Sequence, residues 1–250
     1  MTVLNIYCGV ILFILGAVFG SFLNCMAWRI VHHESILKGR SHCANCNHPL
    51  KAGDLIPIIS WVFLKGKCRY CGQKISFRYP AAELVCAGSF LLSFIRFGFS
   101  FQTVQVIVLA CILLALSLAD FESYEIPDRF ILAGIIWWVI TSCVLGGWIK
   151  GIIGGLAIGG GMLVISLVFD KVLGKESLGG GDIKLFFMTG LYMGVLTGLF
   201  SLILSCIIGL LFAVGFRKSR IPFGPAISLA SFISILYGSY FVSWYLSLLA

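Results

Sequence analysis

Apolar runs long enough to cross a bilayer dominate this sequence and limit what it can fold into. About 20 apolar residues span the roughly 30 Å hydrocarbon core. Such runs occupy 3–28, 81–97, 101–119, 130–148 and 151–169, and two longer ones follow at 183–216 and 221–249. Backbone polar groups at membrane depth must be satisfied within the segment, so each run is expected to be helical. Composition agrees, with 60% hydrophobic and 11% charged residues against about a quarter charged in soluble domains. The first run does not read as a cleavable signal, because no basic stretch precedes it and no small-residue cleavage pattern ends it.

Charge gives an expected orientation. Nine of the 18 Lys and Arg lie between Arg29 and Arg78, opposed only by Glu34 and Asp54. The positive-inside rule makes this segment cytoplasmic and the N-terminus external. The 183–216 run would be about 51 Å long as one straight helix, and would put Arg217, Lys218 and Arg220 outside. Dividing it near Gly194 and Gly198 returns those charges to the cytoplasm. The expectation is an all-α polytopic membrane protein of about eight transmembrane helices: the first helix at 1–28, a small cytoplasmic loop domain at 29–80, and a membrane domain at 81–250.

The loop carries Cys43, Cys46, Cys68 and Cys71 as two C-x2-C pairs separated by 21 residues. Four thiolates in two close pairs suit a tetrahedral structural zinc ion, and Gly72 permits a tight turn after the second pair. Disulfides are disfavoured in a reducing cytoplasm. All four histidines lie in this loop, and His42 or His48 could substitute as a ligand. A closed site of four thiolates has no open position for a substrate, so the metal would serve folding. The remaining six cysteines, scattered singly in apolar runs, read as small buried hydrophobes.

Acidic residues are few and placed informatively. Asp120, Glu122, Glu125 and Asp128 cluster at the cytoplasmic end of the third span, and Asp182 follows Gly179, Gly180 and Gly181 at the start of the sixth. Carboxylates at the hydrocarbon boundary are functional candidates by default. Asp182 could cap a helix beginning at Ile183, and Asp128, just after Pro127, suits the first turn of the fourth span. A cap does not need three glycines, which cost backbone entropy; they would leave room for an extended peptide beside Asp182. The "GKES" segment lacks the Ser or Thr of a nucleotide-binding loop, having Glu176 there, and "GGLAIGGG" reads as small-residue helix packing. Two aspartates on different helices at one membrane face are the minimum for aspartyl proteolysis.

The chain resembles the bacterial type IV prepilin peptidases, membrane aspartyl proteases with a glycine-x-glycine-aspartate motif. "GSFLNCMAWR", the two-CxxC stretch from Cys43 through "RYPAAE", "DFESYEIPD" and "GGGDIKLF" occur in the family's order and cover nearly the whole chain. Asn47 stands where the family usually has glycine, and Val31 replaces its common proline. Ala119 before Asp120 separates the chain from the presenilin branch, which carries Tyr-Asp.

The resemblance implies that Asp120 and Asp182 are catalytic, supported by Gly179, Gly180, Gly181, Asp128 and Lys184. It implies cleavage of prepilins or pseudopilins after a glycine at the cytoplasmic face of the bacterial inner membrane, removing a basic leader. It also implies methylation of the new N-terminus with S-adenosylmethionine, although no strand and glycine-rich turn for that donor is legible. The partners are then the prepilin substrates and the lipid bilayer, with no nucleic acid. Glu122 and Glu125 are expected to attract the basic leader, since the segment from Asp120 to Arg129 has four acids and one base. The competing classes are an ion- or proton-coupled transporter using the two aspartates as relays, and a non-catalytic assembly factor of a pilus or secretion system.

Overall fold

The computed structural model describes residues 3–35, 39–43, 45–174, 178–216 and 222–249. Glu176 of the "GKES" segment and the basic residues Arg217, Lys218 and Arg220 lie outside them. The described residues are helical, apart from loops and isolated bridges, and divide into two compact units, Met1–Thr103 and Val104–Ala250. Among the described residues, seven helical runs are long and apolar enough to cross a membrane.

The first unit holds α1 (Val3–Val31), the short α2 (Ile59–Phe63) and α3 (Arg78–Phe97). α1 packs along α3 because glycines let the two backbones meet. A Cβ on Gly16 would lie 2.7 Å from the Ala87 Cα, and one on Gly20 2.8 Å from the Glu83 Cα. This is small-residue packing at four-residue spacing, the main route to close helix contact in lipid. α1 runs past the expected end at Trp28. Arg29 in its last turn is buried and donates to the carbonyls of Ser35 and Gly39 at 3.3 Å each, satisfying loop carbonyls beyond the helix end.

The second unit is built from α4 (Phe101–Ser123, whose first turn precedes the division), α5 (Asp128–Leu145), α6 (Trp148–Gly155), α7 (Gly161–Leu173), α8 (Gly180–Met193), α9 (Val195–Phe216) and α10 (Gly224–Leu249). α6 and α7 form one span through a π-helical turn at Leu156–Gly160, which the sequence reading did not anticipate. The glycines around it pack as expected: Gly154, Gly155 and Gly159 lie against α8, where a Cβ would strike Gly190, Leu191 or Phe187.

The 183–216 run does break, at Gly194, which takes φ +76° between α8 and α9. At 14 residues α8 is about 21 Å long, shorter than the hydrocarbon core. Of about eight expected spans, seven therefore have full length, and α8 is a short helix enclosed by α5, α6, the π turn and α10. Such enclosure suits a helix whose ends cannot reach both membrane surfaces. Leu185, Phe186 and Met188 on α8 are fully buried, while most exposed large apolar side chains lie on the long spans, where lipid would cover them.

Candidate active site

Asp120 occupies the last turn of α4 and is 4% exposed. The helix extends beyond the expected end at Ala119, with the Ser123 hydroxyl donating back to the Ala119 carbonyl at 3.0 Å and Tyr124 turning left-handed at φ +56°. The Asp120 Oδ2 accepts the backbone N–H of Gly224, the first residue of α10, at 2.9 Å. A helix N-terminus aims unpaired N–H groups and partial positive charge at such a group. Gly224 has to lack a side chain, because a Cβ there would sit 2.6 Å from that oxygen.

Asp182 comes from α8. The helix begins at Gly180 with Gly179 as its N-cap, so Asp182 is the third helical residue and not the cap of a helix starting at Ile183. It is half-buried and lies within electrostatic range of Asp120. The three glycines ahead of it all have negative φ, so the run does not serve a left-handed turn. A Cβ on Gly179 would stand 3.2 Å from Asp182 Oδ2, and one on Gly181 3.0 Å from the Ile126 side chain, while nothing lies within 4 Å of Gly180. The run keeps clearance on one side of the carboxyl and admits Ile126 on another.

Asp128 and Lys184 have a different placement. The N-cap of α5 is Pro127, and the Asp128 side chain, instead of capping, accepts a hydrogen bond from Lys184 Nζ at 2.7 Å. Both partners are more than half exposed, and the pair links the start of α5 to α8. Glu122 is half-buried with interactions of its own, and Glu125 is exposed on the α4–α5 link. The reading of the sequence missed Gly224 and its neighbour Phe223, whose ring lies 6.3 Å from that of Phe186 on α8. The available signal was "PFGP": prolines flanking a glycine ahead of an apolar run mark a helix start, though not which carboxyl that start meets.

In the first unit the four loop cysteines converge, with their sulfurs all within 4.8 Å of one another and Cys43 and Cys71 3.9 Å apart. The two turns that carry them repeat bond for bond. The N–H groups of Cys43 and Asn47 donate to the carbonyls of His48 and Cys43 at 3.0 and 2.9 Å; those of Cys68 and Gly72 donate to Gln73 and Cys68 at 2.8 and 3.0 Å. Asn47 and Gly72 take the matching left-handed conformation, φ +54° and +71°. Asparagine tolerates that region, so the departure from glycine at position 47 leaves the turn intact. His48 stacks on Tyr70 with ring centroids 3.7 Å apart, and His42 meets the edge of Trp28, so the cluster consists of cysteines alone.

The thiols differ in acidity. The backbone N–H of Gln73 brings Cys71 down to about 7, and that of Cys46, chiefly, holds Cys43 below the usual thiol range. For Cys46 the His48 N–H works downward, but desolvation, hydrogen bonding to Cys43 and Cys71 and the charge on Cys43 push it up to about 11. Four sulfurs at this spacing fit a tetrahedral dication such as zinc, which would displace the remaining thiol protons. Of the six other cysteines only Cys86 is buried. Cys143 and Cys206 are exposed, because single cysteines on spans face outward as readily as inward.

These features define a polytopic membrane protein in which two carboxyl groups from different helices lie within electrostatic range of each other and a four-thiol loop follows the first span. Models of the Bacterial Peptidase A24 N-terminal domain and the Type IV leader peptidase family match residues 14–97 and 107–214, and the chain belongs to the type IV leader peptidase family. It is 35% identical over 247 residues to a prepilin leader peptidase/N-methyltransferase of Bacillus subtilis (strain 168), covering 95% of this chain and 98% of the relative. It is 33% identical over 225 residues to one of Aeromonas salmonicida (strain A449), covering 85% and 76%. A type 4 prepilin-like proteins leader peptide-processing enzyme of Escherichia coli O78:H11 (strain H10407 / ETEC) is 34% identical over 248 residues, covering 88% and 90%. No solved structure matches the chain significantly.

Proposed function

We propose that this chain is a membrane aspartic endopeptidase that removes the basic leader of type IV prepilins or pseudopilins after a glycine, at the cytoplasmic face of the bacterial inner membrane, and then methylates the new N-terminal amine. The observation that supports the peptidase half is that Asp120 from α4 and Asp182 from α8, the first buried and the second half-buried, lie within electrostatic range of each other. One carboxylate takes a proton from water as it attacks the scissile carbonyl; the other, protonated, donates to the carbonyl oxygen, and a proton passes to the departing amine. Gly224 orients Asp120 through its N–H, and the bare flank at Gly180 leaves space for an extended peptide beside Asp182.

In this reading 1–28 anchors the chain, 29–80 is a zinc-stabilised cytoplasmic loop and 81–250 holds the protease. The zinc ion would be held by Cys43, Cys46, Cys68 and Cys71 and would stabilise a loop too small to fold on its own core. S-adenosylmethionine, when bound, supplies the methyl group. Glu122 and Glu125 attract the leader's basic residues, while Asp128 and Lys184 tie α5 to α8.

The test is cleavage of a prepilin-like substrate in membranes by the parent and by Asp120→Asn, Asp128→Asn and Asp182→Asn. Loss of product for 120 and 182 only, at normal protein levels, is the expected result. Cleavage retained in either of those two sinks the mechanism.

A further inference from the structure

The first unit encloses a cavity of about 300 Å³ between the loop-side ends of α1 and α3 and the cysteine-bearing loop, at the lower end of the range for small-molecule sites. The mechanism above gives it no role. Its wall includes Asn24, which is 6% exposed and whose Nδ2 has no hydrogen-bond partner among the described residues. Buried amide donors are nearly always paired, so this one calls for an acceptor from a molecule in the cavity.

The rest of the lining says what kind of molecule. Glu83, also buried, is fixed at the wall by the Ile58 N–H at 2.6 Å and by the Ser21 hydroxyl. The N–H is held in place by an Ile58 backbone at φ +63°, rare for a β-branched residue. The Trp61 indole N–H is spent on the Ile75 carbonyl at 3.1 Å, leaving its ring as an apolar wall, with Trp28 a second. Arg29 and Lys74 add positive charge at the same cavity. A site with a carboxyl, cationic groups, two indoles and an unspent amide donor suits a zwitterionic ligand that also bears a cation and a flat ring.

We infer that this cavity, with Asn24 and Glu83 as its polar anchors, is the binding site for the sulfonium methyl donor. The sulfonium and amino groups would face Glu83 and the indoles, the donor's carboxylate the cationic side, and an acceptor atom the Asn24 amide. During transfer the amine nitrogen gains the N–C bond as the S–C bond breaks, and the amine releases a proton to solvent. The inference rests on the methyl-transfer half of the proposed function.

The test uses the full chain in lipid nanodiscs and equilibrium dialysis with tritiated S-adenosylmethionine. Asn24→Leu, which keeps the volume and deletes the donor, and Glu83→Gln are each expected to weaken binding at least ten-fold. Because either variant could lose its fold, the parent is also labelled with a photoactivatable adenosyl analogue and the adduct mapped, with residues 21–83 expected. Unchanged affinity in Asn24→Leu, or an adduct between residues 104 and 249, overturns the location. If the parent then still methylates a cleaved substrate, the activity reading survives that failure. A parent that neither binds donor nor methylates overturns both.

Discussion

Gly224 donates its backbone N–H to the Asp120 carboxyl across 104 residues of sequence, at 2.9 Å. The bond joins the end of α4 to the start of α10 and leaves no room for a Cβ. Gly224→Ala would push the new methyl into Asp120 Oδ2 or displace α10, turning the carboxyl from its position. Small misplacements of a catalytic group cost about 100-fold. Leader cleavage is expected to fall by at least ten-fold, with near-parental expression and thermal stability. Parental turnover in this variant would show that Asp120 does not depend on the bond.

Lys184 and Asp128 form an ion pair at 2.7 Å with both side chains more than half exposed. Exposed pairs contribute about 0–1 kcal/mol. Lys184→Met is therefore expected to shift thermal stability by no more than about that amount and to leave most cleavage activity, and Asp128→Asn to behave alike. A collapse of cleavage in Lys184→Met with stability intact would mean that the lysine acts on Asp182 or on substrate.

The helical class, the break at Gly194, the two C-x2-C turns and the two aspartates were all legible in the sequence, because each rests on local chemistry. Bilayer length, thiol spacing and a carboxylate at a membrane boundary can be read within a few tens of residues. The partners of those groups were not legible. Asp128 looked like a cap after Pro127, yet its side chain turns to Lys184, 56 residues on. Gly224 gave no sign that it would meet Asp120, and Asn24 and Glu83 stood in motifs that carry the resemblance, with nothing to say that they would line one cavity. Such pairings depend on which helix faces cross, which periodicity within one helix does not encode.

Metal loading of the cysteine cluster should strengthen as pH rises. A thiol must lose its proton to become a ligand. Cys71, at about 7, and the lowered Cys43 do so readily near neutrality, whereas Cys46, at about 11, gives up its proton only on binding. Zinc retained after a fixed chelator challenge, measured by mass spectrometry of the metal, is expected to be higher at pH 8 than at pH 5.5. Cys46→Ser is expected to lower retention at both. Retention that does not change with pH would argue against thiolate ligation.

Asp54 links three parts of the loop: it accepts from Lys51 N–H at 3.2 Å, Arg69 Nε at 2.7 Å and Tyr70 Oη at 3.1 Å. Desolvation works to raise its pKa, but these donors outweigh it and hold the carboxyl below its ordinary 3.8. A carboxyl depressed in the folded state stabilises above its unfolded value, and that stabilisation is lost as pH falls through the folded one. Loop protection in hydrogen exchange is thus expected to fall below about pH 4 in the parent. Asp54→Asn should be weaker at neutral pH and show less of that acid step. An identical acid profile for both would remove Asp54 from the account.

Glu122 and Glu125 supply two of the four acids in the segment from Asp120 to Arg129, which has one base. Nine basic residues crowd the 29–78 segment, so under the proposed function a basic leader would be repelled there and drawn to the acidic link. Attraction between exposed charges is screened within about 8 Å at physiological salt, and it acts on association more than on the bond-breaking step. Glu122→Gln with Glu125→Gln is expected to raise KM for a basic leader several-fold at low salt, with kcat little changed, and to flatten the salt dependence of kcat/KM. A neutral-leader substrate should be insensitive to the same change. If KM and its salt slope stay at parental values, the leader is recognised elsewhere, and the acidic link serves only to join α4 to α5.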